Sequence, residues 1–155
     1  MNEHYASIIA GLPLFKGYTP HGTQRLLNLG EVKERKAGEL IFKEGDKPSV
    51  VFLVLTGRLQ AFVERKGRDL ILDDAGPGTI IGELAVLCGI PRSASVRVIE
   101  DANVLEWEAQ DFRGLLLGDA FLSERIFRES LRTLIENEQL LIASLTQSQT
   151  AASNG

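Results

Sequence analysis

Apolar side chains recur at two different periods along the chain, and the changes of period divide it into three parts. Tyr5, Ile8, Ile9, Leu12 and Phe15 follow helical spacing, interrupted by Gly11 and Pro13, which predicts a short helix with a broken end. Thr19-Pro20 reads as a cap with proline in the first turn, and opens a helix carrying Leu26, Leu27 and Leu29 that stops at Gly30. From Val32 the period shortens. Gly38 to Asp46 gives a strand followed by a Gly-Asp turn, and Val50 to Thr56 is a continuous apolar run ended by Gly57. Leu59, Ala61 and Val63 alternate with Arg58, Gln60 and Glu64, the signature of a strand with one wet face. Lys66-Gly67 turns into Leu70-Ile71-Leu72, and Asp73 to Gly78 turns again. Ala94, Val96 and Val98 alternate with Ser95 and Arg97, and Val104 to Trp107 follows the turn at Glu100-Asp101. About eight short strands with turn signals at this density predict a closed or nearly closed β-roll.

The helical period returns at Ala109. A short helix from Asp111 to Leu117 ends near Gly118, and a much longer one runs from about Ala120 to about Thr146. Phe127, Leu131, Leu134, Leu141 and Leu145 follow three-four spacing, with Glu138 breaking the series, and Ile126, Ile135 and Ile142 form part of a second stripe. One wide face packed on the β-roll is a possible arrangement of these residues. A dimer seam is the favoured one, because such a helix runs on the order of 40 Å and outreaches the domain. The expected fold class is mainly β with flanking α. A single domain spans residues 1–146, with N-terminal helices at 3–30, a β-roll at 32–108 and C-terminal helices at 109–146. The polar tail at 147–155 is expected to be disordered.

Composition narrows the function classes. With 155 residues and a net charge of −4, the chain is one ordinary domain without the basic surface that nucleic acid requires. A lone cysteine, Cys88, forms no internal disulfide and suits a reducing cytoplasm; it is expected to be a small buried filler. The N-terminus lacks a basic start and a long apolar run, and no stretch is long enough to span a bilayer. His4 and His21 lie far from the remaining candidate chemistry, so no metal site is expected.

That chemistry sits between Gly78 and Val96. Gly82 removes a side chain where the backbone must bend or let a ligand approach. Glu83 opens a helical segment, where its carboxylate suits the positive end of the helix and can accept from sugar hydroxyls. Gly89 and Pro91 end that helix and place Arg92 at the start of a strand, where a guanidinium can grip a phosphate through two parallel bonds. Ser93, Ala94 and Ser95 are small enough to admit a ligand to the backbone, and Ser93 can donate a hydroxyl. One anionic phosphate beside one free hydroxyl describes a 3′,5′-cyclic nucleotide. The competing reading is an exposed Glu83–Arg92 ion pair of little consequence.

Gly82-Glu83-Leu84-Ala85 followed by Pro91-Arg92-Ser93-Ala94-Ser95-Val96 resembles the phosphate-binding cassette of cyclic nucleotide-binding domains, found in bacterial catabolite activators, kinase regulatory subunits and gated channels. The resemblance covers roughly residues 8–135, with Gly45-Asp46, Gly57 and Phe52-Leu53 falling at the family's turn glycines and apolar strand. It implies an eight-stranded β jelly roll with N-terminal helices, a short cassette helix and a long C-terminal helix. It also implies that Gly82, Glu83, Leu84, Ala85, Arg92, Ser93 and Ala94 bind the ligand. Side chains of the long helix cover the base in this family, which makes Arg132, Thr133 and Asn137 the lid candidates.

The resulting expectation is a cytoplasmic, bacterial, non-catalytic sensor that prefers cAMP over cGMP and needs no further cofactor or metal. It dimerises through the C-terminal helix and signals by moving that helix against an unidentified downstream protein. The cAMP preference rests on the absence of a carboxylate or arginine to satisfy guanine. Direct DNA binding is not expected, because only a short polar stretch follows the long helix. The chain is then either a stand-alone sensor or a domain of a longer protein. A phosphodiesterase or cupin-like enzyme lacks a metal cluster and a nucleophile–base pair near Arg92, and a degenerate structural β-roll would not keep Glu83, Arg92 and the small residues after it.

Overall fold

The computed structural model describes residues 2–154. The N-terminal part is α1 (Asn2–Ala10), a single 3-10 turn at Pro13–Phe15, and α2 (Pro20–Leu29). Thr19 caps α2 as expected, its hydroxyl oxygen accepting from the Gly22 amide at 3.0 Å. The strands follow as β1 (Glu31–Arg35), β2 (Leu40–Phe42), β3 (Val50–Arg65), β4 (Arg68–Ala75) and β5 (Ile80–Ile81). After α3 (Glu83–Cys88) come β6 (Ser95–Glu108), α4 (Ala109–Leu117) and α5 (Ala120–Asn154).

Six strands replace the eight expected. All pairings are antiparallel, in the order β1-β6-β3-β4, with β2 also on β6 and β5 also on β3. Two apparent turns are bends inside single long strands. β3 runs through Gly57, and its register against β6 shifts between Val54 and Leu59. Gly57 has a φ of +84°, and a Cβ there would lie 2.3 Å from the Asp101 carbonyl, so the glycine lets β3 bend against the matching bend of β6 at Glu100–Asp101. The Lys66-Gly67 turn holds: both residues have positive φ, as a tight β3–β4 hairpin requires.

Two apolar clusters result. One fills the roll itself with Phe52, Val54, Leu59, Val96, Val98 and Val104. The other seals the sheet against the helices, through Leu26, Leu53, Leu105, Trp107, Phe112, Leu122 and Ile126. Trp107 belongs to the second, and its indole donates to the Leu26 carbonyl at 2.8 Å, which pins α2 to β6. Cys88 corrects the expectation of a buried filler. It is exposed, because α3 turns Glu83, Ala85 and Val86 inward and leaves its last residue outside.

α5 also departs from the pattern. It continues past the expected end near Thr146, and the stretch expected to be a disordered tail is helical backbone as far as Asn154. No proline or glycine interrupts it before Gly155, which lies outside the described residues. Leu122, Ile126 and Ser130 are buried, whereas Leu134, Ile135 and Leu145 are 49%, 54% and 65% exposed. The apolar residues of α5 that pack on the rest of the molecule therefore lie in its first turns, and further along it is Thr133 and Asn137 that meet the roll. The single wide packed face is not what its apolar stripes form within this chain. Among the described residues, no helix is long and apolar enough to cross a membrane.

Candidate functional site

The Gly45-Asp46 turn and the cassette are built against each other. The Arg92 amide donates to the Asp46 carbonyl, and the Gly45 amide donates to the Arg92 carbonyl, both at 2.8 Å. This fixes the backbone at Arg92 and sends its side chain inward, where it is only 4% exposed. Nη1 donates to the Gly82 carbonyl at 2.8 Å and Nη2 to the Val50 carbonyl at 2.6 Å. The guanidinium also lies over the Phe42 ring. Its Nε is buried with no hydrogen-bond partner. A buried cation bonded only to neutral carbonyls, with no ion pair among the described residues, favours an anion beside it, since burying an unpaired charge is costly. Burial holds the Arg92 pKa below its ordinary value, partly offset by the charges of Asp46 and Glu83.

Gly82 is required twice over. Its φ of +84° starts α3 from the left-handed region, and a Cβ there would lie 2.3 Å from Arg92 Nη1. The cassette glycine thus makes the bend and clears the space that the arginine occupies.

Glu83 is 7% exposed. Burial pushes its carboxyl pKa up, against the opposing effects of the Ser130 hydroxyl, its own backbone amide and the Arg92 charge. No ion pair joins Glu83 to Arg92 among the described residues. The exposed-pair reading therefore fails on both counts: the two groups are buried, and each makes its close contacts elsewhere. Ser130, buried on α5, lies close enough to act on the cassette carboxylate.

All seven ligand-site candidates, Gly82, Glu83, Leu84, Ala85, Arg92, Ser93 and Ala94, line one recess. Its remaining walls include Phe42, Ala61, Leu72, Ile81 and Val96, so a few polar groups converge within an apolar lining. Of the lid candidates, Thr133 and Asn137 line the recess as well. Arg132 does not. It pairs with Glu129 and faces a separate cleft with Arg125 and Arg128, because its phase on α5 points it away.

The structure adds three residues that sequence reasoning passed over. From spacing alone Phe42 is only part of a strand and Asp73 only the start of a turn, and Ser130 belongs to neither apolar stripe of the long helix. Asp73 belongs to β4 and lines the recess, so the expectation of no carboxylate near the base does not hold. Burial pushes the Asp73 pKa up; the Asp74 backbone amide opposes this, and the charges of Glu136, Asp74 and Glu129 add to it. The only forewarning was that Asp73 follows the Leu70–Leu72 run without a glycine or proline between them.

The comparisons agree with this geometry. A curated relative, the cyclic AMP receptor protein of Thermus thermophilus, is 31% identical over 107 residues, which are 68% of this chain and 50% of that protein. A lysophospholipase of Aspergillus fumigatus is 29% identical over 135 residues, 83% of this chain but 9% of its own length. The chain thus spans half or less of the length of these relatives. Among solved structures, the Thermus thermophilus catabolite activator protein superposes with a TM-score of 0.74 at 27% identity, covering 86% of this chain and 63% of that one. The family model for the cyclic nucleotide-binding domain matches residues 32–119, which run from β1 through the whole cassette to the start of the long helix, and the chain belongs to that family.

Proposed function

We propose that this chain is a non-catalytic sensor in which Arg92 takes the cyclic phosphate of a 3′,5′-cyclic nucleotide and Glu83 accepts from the ribose 2′-hydroxyl. The observation that carries the reading is the buried Arg92 guanidinium, bonded only to neutral carbonyls and set beside Gly82 in the recess. Ser93 contributes a hydroxyl at the exposed rim, while Leu84, Ala85 and Ala94 admit the ligand to the backbone. Thr133 and Asn137 serve as the lid, and Arg132 leaves that role because it faces another cleft.

The ligand is cAMP, with cGMP as the weaker alternative. Support comes from the Thermus relative named for cyclic AMP, since Asp73 removes the earlier argument that guanine would find no carboxylate. Signalling is drawn from the proximity of Ser130 on α5 to Glu83. A ligand that draws on Glu83 changes what α5 gains by docking at Ser130, and only such a differential contact can shift the helix. The exposed apolar stripe of α5 supports a homodimer seam, through which a downstream protein reads the movement. This reading belongs to a bacterial cytoplasm, the compartment in which an exposed free thiol such as Cys88 stays reduced.

Isothermal titration calorimetry of the purified chain with cAMP tests the proposal. The expected dissociation constant is about micromolar, near −8 kcal/mol. Absence of both heat and thermal shift with cAMP and with cGMP overturns it.

A further inference from the structure

The recess contains one ionisable side chain for which neither the phosphate nor the ribose has a use. Asp73 is half-buried on β4, next to Ala61 in the β3–β4 ladder, and both residues line the recess. It faces α5, whose Glu129 and Glu136 lie close enough to act on its charge, as does its neighbour Asp74. α5 supplies a ruler for the site. Ser130 lies close to Glu83, and Thr133 and Asn137 line the same recess further along the helix. At 1.5 Å per residue, Ser130 to Asn137 covers roughly 10 Å. That is the scale of a nucleoside laid from its 2′-hydroxyl toward the far edge of its base.

A carboxylate only accepts hydrogen bonds. In a half-buried position near three other carboxylates, with the Asp74 backbone amide supporting its charge, Asp73 gains from a further donor. A purine amino group is such a donor, and Asn137, which lines the same recess, can donate in turn to a ring nitrogen or a carbonyl. We propose that Asp73 is the specificity-determining residue of the site: its carboxylate accepts from an exocyclic amino group of the base, so that the recess selects amino-bearing purines. This inference rests on the cyclic nucleotide reading above and adds which part of the base is recognised. Loss of such a bond leaves the carboxylate unmatched as well as the base, so discrimination is larger than for an apolar contact.

The test compares cAMP, cGMP and 3′,5′-cyclic purine riboside monophosphate, which carries no amino group, on the full chain by calorimetry. In the wild type, the ligand without an amino group is expected to bind at least about tenfold more weakly than the tighter of the other two. In Asp73→Ala that gap is expected to shrink to about threefold or less. Removing a negative charge near an anionic ligand favours all three alike, while only the two amino-bearing ligands lose a bond, so the ratio, not any single affinity, is the readout. Asp73→Asn, nearly the same size, repeats the test should the alanine variant fold poorly. Equal wild-type binding of cAMP and the ligand without an amino group overturns the inference, and so does an unchanged gap in both variants. Failure of all three ligands to bind overturns the cyclic nucleotide reading instead.

Discussion

The guanidinium carbon of Arg92 lies 4.0 Å from the centre of the Phe42 ring. β2 and the cassette meet through this contact, and the ring covers one face of a buried cation whose edges serve Gly82 and Val50. Phe42→Leu keeps an apolar filler but removes the aromatic face. It is expected to weaken cyclic nucleotide binding by about 0.5–2 kcal/mol, the worth of a partly desolvated cation–π contact. Calorimetry checks this, and an unchanged affinity means that the backbone carbonyls alone hold Arg92 in place.

Arg92 and Glu83 differ in what they are expected to contribute. Arg92→Ala removes the charge partner of a buried phosphate and is expected to cost about 2–4 kcal/mol of binding. Glu83→Ala loses an acceptor for a neutral hydroxyl and is expected to cost about 1–2 kcal/mol. Titrations of the two variants against the wild type decide the ranking. Negligible effects at both positions contradict the proposed site.

Burial raises the Glu83 pKa in the folded chain, with a consequence for stability. Above the folded pKa the carboxylate is charged in both states, and the folded state bears the cost of burying that charge. Below the unfolded pKa, about 4.3, both states are protonated and the cost is absent. Stability from this group is thus fully present in acid and lost as pH rises through the folded value. Glu83→Gln is expected to stabilise the ligand-free chain near neutrality by about 0.5–2 kcal/mol while weakening binding. Each kcal/mol corresponds to about 2–4 °C in Tm. Melts at pH 4 and pH 7 are expected to show the gain at the higher pH only; a gain of equal size at both values contradicts it.

Leu134 and Leu141 lie on the exposed stripe of α5, one heptad apart. If two copies pair along that stripe, the wild type is a dimer by light scattering, and Leu134→Asp with Leu141→Asp gives a monomer. Both residues lie outside the recess, so the monomer is expected to bind cAMP within about threefold of the wild type. A monomeric wild type, with and without ligand, removes the seam.

The sequence by itself determined the parts whose conformation depends on their own residues. Thr19-Pro20 caps α2 because the hydroxyl and the ring act within one turn. Lys66-Gly67 makes the hairpin, and Gly82 followed by Glu83 starts α3, because left-handed backbone and helix-start chemistry are local. The cassette could be read for the same reason, since its phosphate and ribose groups fall within one short stretch. Only the tertiary structure decided what joins distant residues. Phe42 reaches Arg92, Ser130 reaches Glu83, and Asp73 enters the recess across segments that no local spacing relates. The choice of Thr133 and Asn137 over Arg132 needed the phase of α5, which is set by the burial of Leu122, Ile126 and Ser130 against the rest of the molecule. The strand count went the same way. Gly57 looks like a turn in isolation, but β3 continues through it because β6 bends at the matching position, and the hydrogen bonds of a ladder belong to both strands at once.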